Sequence, residues 1–245
     1  MKKIFITIFL TVLWTPLVEA QKPIDTSTGS RVERPVDGPA MRQRDQNRIR
    51  AKMLKCIYEW SPKRLDAFLD SSDPLTVDYV AINLPTKNWI AALHVNTCFE
   101  RSAEHESDDD LYVSMSDRQF RGWLLPFAYI AHHPTSPSWV SQWPGDPKRR
   151  YISTDGALEV AKISGSFSDC VVKAAPLLAD QLVRTEASSP EEKSAIKAIV
   201  PFLGPCIVAG QTIELKPNNL RVFLADGLWT ASRSFAAGQF AEKTN

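Results

Sequence analysis

A cysteine, a proline six positions on, an apolar pair, a Ser-Ser break with a proline, a second cysteine and an arginine-bearing amphipathic helix occur in that order twice in this chain. The first series is Cys56, Pro62, Phe68-Leu69, Ser71-Ser72-Asp73-Pro74 and Cys98, closing with FRGWLLPFAYIA at 120–131. The second is Cys170, Pro176, Leu182-Val183, Ser188-Ser189-Pro190 and Cys206, closing with LRVFLADGLWTA at 220–231. Within the closing helices Arg121 and Arg221, Leu124 and Leu224, and Ala131 and Ala231 stand at equivalent places. Any two core-facing helices share apolar positions at i, i+3, i+4 and i+7, so periodicity alone proves little. The shared order of cysteines, prolines and arginine is what points to duplication. It constrains the chain to an all-α fold of two tandem disulfide-stapled helical repeats joined by a proline-rich linker.

Helical periodicity supports that reading. Residues 40–60 contain no Gly or Pro and become apolar at Ile49, Met53, Cys56, Ile57 and Trp60, a stripe with charge on its other face. Ser61-Pro62 ends this helix and starts the next, and Ser116 to Gln119 has the form of a capping box. Ser189-Pro190-Glu191-Glu192 combines a cap, a first-turn proline and acids at the positive end of the helix dipole. A short helix is expected in 75–84, and 99–115 with its HESDDD run is expected to be a solvated excursion. In the first closing helix Phe120, Trp123, Leu124, Phe127 and Ala131 are expected to face the core, with a kink at Pro126 that Asp226 spares the second.

The expected organisation is therefore a signal peptide at 1–20, a disordered leader at 21–39, a first repeat at 40–133 and a linker at 134–154. A second repeat at 155–236 and a frayed tail at 237–245 follow. The signal reading rests on Lys2 and Lys3, the apolar run Ile4 to Trp14, and small or compact residues before a cut after Ala20. That run is too short for the roughly 20 residues that span a bilayer. Loss of the first twenty residues leaves 27 basic and 27 acidic residues from 29 and 28. The balance argues against a nucleic-acid or anionic-membrane partner, though not against a local basic patch. A periplasmic or secreted location is expected.

Cys56, Cys98, Cys170 and Cys206 are even in number and lie in no CxxC pair, which favours disulfides over redox or zinc chemistry. Spacing leaves three connectivities open. A repeated unit most simply carries its own bridge, giving Cys56–Cys98 and Cys170–Cys206. Loops of 42 and 36 positions then correspond to about 4 kcal/mol each in the chain-entropy account.

The segment SSPEEKSAIKAIVPFLGPCIVAGQTIELKPNNLRVFLADGLW resembles a group of small exported alphaproteobacterial proteins, typical of sphingomonads, that carry a cysteine-containing helical repeat. In them a segment of the form LGPCL-x-x-GQ-x-L precedes a helix of the form LRGxLAEALY. Gly204-Pro205-Cys206, Gly210-Gln211 and Leu220-Arg221 match, and Asp226 stands where an acidic or small residue is usual. The first copy lacks the Gly-Gln pair, and the resemblance is closer over 155–232 than over 45–132. It implies the helical fold and export, and brings no catalytic residues.

Motifs for chemistry are sparse. The chain has four histidines, His94, His105, His132 and His133, no HExxH and no GxSxG; Ser164-Gly165-Ser166-Phe167-Ser168 has the wrong pattern and a helical context. His105, Glu106 and Asp108 to Asp110 lack the glycine turn of an EF-hand and read as a solvated loop. His132-His133 sits at a helix C-terminus, where the dipole favours it. No catalytic, cofactor-binding or metal-binding residue is expected. Arg121 and Arg221 recur within apolar helices, where each must meet a carboxylate or carbonyls, and are read as anchors of the last helix to its own repeat or as ligand contacts. Trp139 and Trp143 either pin the linker or serve as binding anchors. These residues suggest a non-enzymatic binding or interaction module, its partner an unknown protein or small ligand. The alternative is a hydrolase-type enzyme with a site between the repeats.

Overall fold

The structure, a computed structural model, describes residues 31–33, 43–103, 112–141 and 146–238. The signal, the acidic run 105–110, Trp143 and all but the first two tail residues lie outside the described residues. The described residues form an all-α fold. Its first half holds α1 (Gln43–Trp60), α2 (Pro62–Asp70), α3 (Trp89–Ala92), α4 (Val95–Ala103) and α5 (Asp117–His132). The second holds α6 (Asp155–Ala174), α7 (Pro176–Arg184), α8 (Pro190–Ile199) and α9 (Pro217–Ala236). Disulfides join Cys56 to Cys98 and Cys170 to Cys206, one within each half.

Local signals set most helix starts. Ser116 Oγ accepts from the Gln119 amide at 3.2 Å, and Gln119 Oε1 accepts from the Ser116 amide at 2.7 Å, a complete capping box. Ser189 Oγ accepts from the Glu192 amide at 3.0 Å. Ser61 makes no capping bond, so Pro62 in the first turn of α2 carries that start alone. α5 continues through Pro126 to His132.

Four local expectations are corrected. Residues 75–84 form turns and one bridge, Ser72 to Val77, in place of a helix. The Asp73 carboxylate accepts from the Leu75 and Thr76 amides, and Asp78 from the Ala81 amide, so side chains satisfy the donors a helix would have used. The stretch from 99 is not wholly an excursion, because α4 runs to Ala103. Its Val95, Cys98, Phe99 and Ser102 make a buried stripe that Cys98 secures to α1. In the expected leader, strand β1 (Arg31–Glu33) pairs antiparallel with β2 (Tyr112–Ser114), Val32 opposite Val113. Finally, Ala131 is exposed and Phe127 only half-buried, while Leu125, Ala128 and Tyr129 are buried in their place. α5 packs against α1, α2, α7 and α9, and Tyr129, on the buried side, donates to Asp180 of α7 at 2.7 Å.

α9 packs against α6, α5 and α7, whereas α1 packs against α4, α5 and α2. Buried apolar residues from Ile49 to Ala231 belong to one hydrophobic cluster that spans both halves. The α6–α9 contact is close because Gly227 has no side chain: a Cβ there would lie 2.8 Å from the Ser168 carbonyl oxygen. The linker 134–154 is strapped down at both ends. Arg184 donates to the carbonyls of His133 at 2.8 Å and Thr135 at 3.2 Å, and Trp139, only 4% exposed, sits beside the His133 and Phe235 rings. At the far end Asp73 Oδ2 accepts from the Ile152 and Ser153 amides at 2.8 and 2.6 Å.

Candidate functional site

The two halves meet through a buried ionic network centred on Asp226 of α9. Arg121 of α5 donates from Nη2 to Asp226 Oδ1, and from Nε to Ser72 Oγ at 2.7 Å. Arg149 of the strap donates from Nη1 to Asp226 Oδ2 at 2.6 Å. It also makes a two-point contact with Asp169 of α6, Nε to Oδ2 at 3.0 Å and Nη2 to Oδ1 at 2.6 Å. Arg149 fits because position 165 is glycine; a Cβ there would lie 2.7 Å from Arg149 Cδ and 2.6 Å from the Tyr151 hydroxyl. Gly165 thus belongs to the packing seat of the strap.

Burial alone would hold the Asp226 carboxyl above its ordinary pKa, but the Arg149 and Arg121 guanidiniums outweigh that effect and hold it below. Burial likewise opposes charge on Arg149, and Asp226 and Asp169 reverse the balance so that it stays protonated. Asp169 differs from Asp226: burial outweighs the Arg149 guanidinium there and holds its carboxyl above the ordinary value. Each guanidinium is fixed in place by an acid on one side.

Arg121 lines a space on either side of itself. One is a small cavity of about 30 Å³ bounded also by Pro74, Ser164, Phe223 and Asp226, with room for a water molecule. The other is an open cleft of about 460 Å³ between the end of α2, the C-terminal half of α9 and the strap. Five cations line this cleft, Arg121, Lys148, Arg149, Arg150 and Arg233, against a single acid, Asp70. Asp70 is held by Arg233, which donates Nε at 2.9 Å, and by the Trp229 indole N–H at 3.1 Å. Arg150 reaches Asp78 at 3.1 Å, and Asp78, Asp169 and Asp226 all lie outside the lining of the cleft. Ala236 and Ala237 supply exposed apolar surface to it, with the buried Leu69 and Trp229 at its base.

The recurrent arginines thus separate. Arg121 joins its own half through Ser72 but also crosses to Asp226, beyond the within-repeat anchor expected of it. Arg221 stays within its half, donating to the Val183 and Thr185 carbonyls at 2.8 Å and to Glu192 Oε1 at 2.6 Å, which ties α9 to the α7–α8 connection. The three described histidines have separate partners: His94 stacks on Trp60 at 4.2 Å, His132 meets Asp66 at 2.8 Å and His133 meets Ser232 Oγ at 2.6 Å. Among the described residues no three His, Cys, Asp or Glu side chains gather as metal ligands. Sequence reasoning passed over Lys148, Arg149, Arg150 and Arg233. The run Lys148-Arg149-Arg150 was the available signal, hidden in a linker whose course over the protein no local pattern records.

Comparison with family models, curated proteins and solved structures returns no match.

Proposed function

We propose that this chain is an exported, non-enzymatic binding module of the cell envelope, periplasmic or secreted, whose ligand seat is the cationic cleft between its halves. The observation that carries this reading is the cleft itself, with the Arg121, Arg149 and Arg150 guanidiniums held in position from behind by acids that do not line it. Such a site has met the ordering cost of its side chains during folding, which favours binding. Two disulfides and the signal-like start support an oxidising destination. Among the described residues no helix is long and apolar enough to cross a membrane.

The test is thermal denaturation of the exported protein with small-molecule and protein fractions of its native envelope. At least one fraction should raise the melting temperature by several degrees, as mass action requires at saturating ligand. A Lys148→Glu, Arg150→Glu variant should lose the shift. If no fraction stabilises the protein, or if the variant responds like the wild type, this reading is wrong.

One contact favours the hydrolase alternative. Ser232 Oγ lies 2.6 Å from His133 Nε2, between α9 and the end of α5, and burial, then His132 and Arg184, hold the His133 pKa down so that the imidazole is neutral and basic. Neither residue lines the cleft or the small cavity. Under our proposal p-nitrophenyl acetate is turned over no faster by the wild type than by Ser232→Ala; a Ser232-dependent turnover would establish the alternative.

A further inference from the structure

The cleft also indicates what kind of ligand it takes. On the binding-module reading above, we propose that its ligand is a small phosphate-bearing organic molecule, the phosphate among Lys148, Arg150, Arg121 and Arg149 and the organic part against Ala236 and Ala237 at the end of α9.

Donor capacity comes first. The acids behind the arginines do not exhaust them: Arg121 keeps Nη1, Arg150 keeps Nε and Nη1, and Arg233 keeps Nη1 outside the hydrogen bonds they make. Lys148 makes no ion pair among the described residues and adds three donors. That set surrounds one space and exceeds what the two oxygens of a carboxylate accept. A phosphate offers three charged or strongly accepting oxygens and nearly two negative charges at neutral pH.

Charge and size agree. Arg121, Arg149, Arg150 and Arg233 are each paired with an acid, so the charge left unanswered is that of Lys148, and the arginines contribute their remaining N–H donors to an anion. Arginine forks suit tetrahedral oxyanions, and here their geometry is set in advance by Asp226, Asp169 and Asp78. A volume of about 460 Å³ exceeds what a free phosphate fills and falls within the range of sites for small organic ligands. Ala236 and Ala237, both exposed, give the remainder an apolar face.

The experiment is isothermal titration calorimetry of the exported protein at about pH 7.5, above the second phosphate ionisation near 6. The probes are phenyl phosphate, benzoate, phenol and inorganic phosphate. Phenyl phosphate should bind at least about tenfold more tightly than benzoate, phenol should not bind, and inorganic phosphate should compete more weakly than phenyl phosphate. Lys148→Ala with Arg150→Ala, both exposed, should weaken phenyl phosphate about tenfold or more with the melting temperature unchanged. Benzoate binding as tightly as phenyl phosphate would overturn the phosphate assignment, and unchanged affinity in the double variant would overturn the location. If no probe binds while an envelope fraction still stabilises the protein through Lys148 and Arg150, the ligand class fails and the binding-module reading survives. If neither occurs, both fail.

Discussion

Asp226 is where the two copies of the repeat diverge most usefully. The first copy has Pro126 at the equivalent place, so only α9 offers a buried carboxylate, and the arginine that answers it, Arg121, comes from the other copy. The arginine that recurs in α9, Arg221, has Glu192 and the α7–α8 carbonyls of its own half. The arginine at the shared position thus bridges the halves in one case and stays within its half in the other. Removing one partner of a buried ionic group costs about 3–5 kcal/mol because it strands the others in low dielectric. Asp226→Ala, which would strand two guanidiniums, is expected to lose that much in urea unfolding, with Asp226→Asn losing less. A loss below about 1 kcal/mol for the alanine variant would mean that water or rearrangement satisfies Arg121 and Arg149.

Among the elements, α9 is the one on which the fold turns, and its approach to α6 depends on Gly227. A Cβ there meets the Ser168 carbonyl oxygen, which cannot yield unless a helix moves, and overpacking of this kind costs about 1–3 kcal/mol. At Gly165 the obstructing atoms are the Tyr151 hydroxyl and the Arg149 side chain. Gly227→Ala is therefore expected to lower the urea midpoint more than Gly165→Ala, and Gly165→Ala to weaken ligand binding by displacing Arg149. The opposite ranking in stability would show that the strap, not the helix crossing, is the less yielding contact. Helices α1, α2, α5 and α6 to α9 were legible because an apolar stripe, a cap or a first-turn proline marks each. α4 was not: its apolar stripe is short and runs into the polar HESDDD stretch, which carries no helical periodicity. The turns at 75–84 were missed because β-branched and aromatic residues there fit helix or strand, and the carboxylates of Asp73 and Asp78 decide the matter through bonds that have no periodicity.

For the molecule as a whole, pH is the sharpest probe of how these contacts add up. Burial would raise the pKa of Asp73, but the amides of Ser153, Leu75 and Ile152 more than offset it and hold the group below its ordinary value. Asp180 is likewise held low, burial being outweighed by hydrogen bonds from Arg184 and Tyr129, as Asp226 is by Arg149 and Arg121. A carboxyl depressed in the folded state binds its proton first in the unfolded chain. Its stabilisation is present above about 3.9, the unfolded value, and is lost as pH falls through the lower folded one. His133 is depressed too, so the unfolded chain takes that proton first and stability begins to fall below about 6.5. The melting temperature should be level near neutrality, decline slightly below about 6.5 and fall steeply below about 4. His133→Gln should remove only the first decline, and a melting temperature unchanged down to about pH 3 would contradict the whole account. The sequence by itself determined the helical class, the two-copy order and most helix starts. Those properties follow from contacts within a few residues or from comparing one segment with another. Only the tertiary structure decided that Arg121 crosses to Asp226, that Lys148 to Arg150 are carried onto the end of α9, and that five cations share one cleft. Such meetings depend on the path of the strap and on how closely α6 and α9 approach, which are set by packing between residues far apart in the chain.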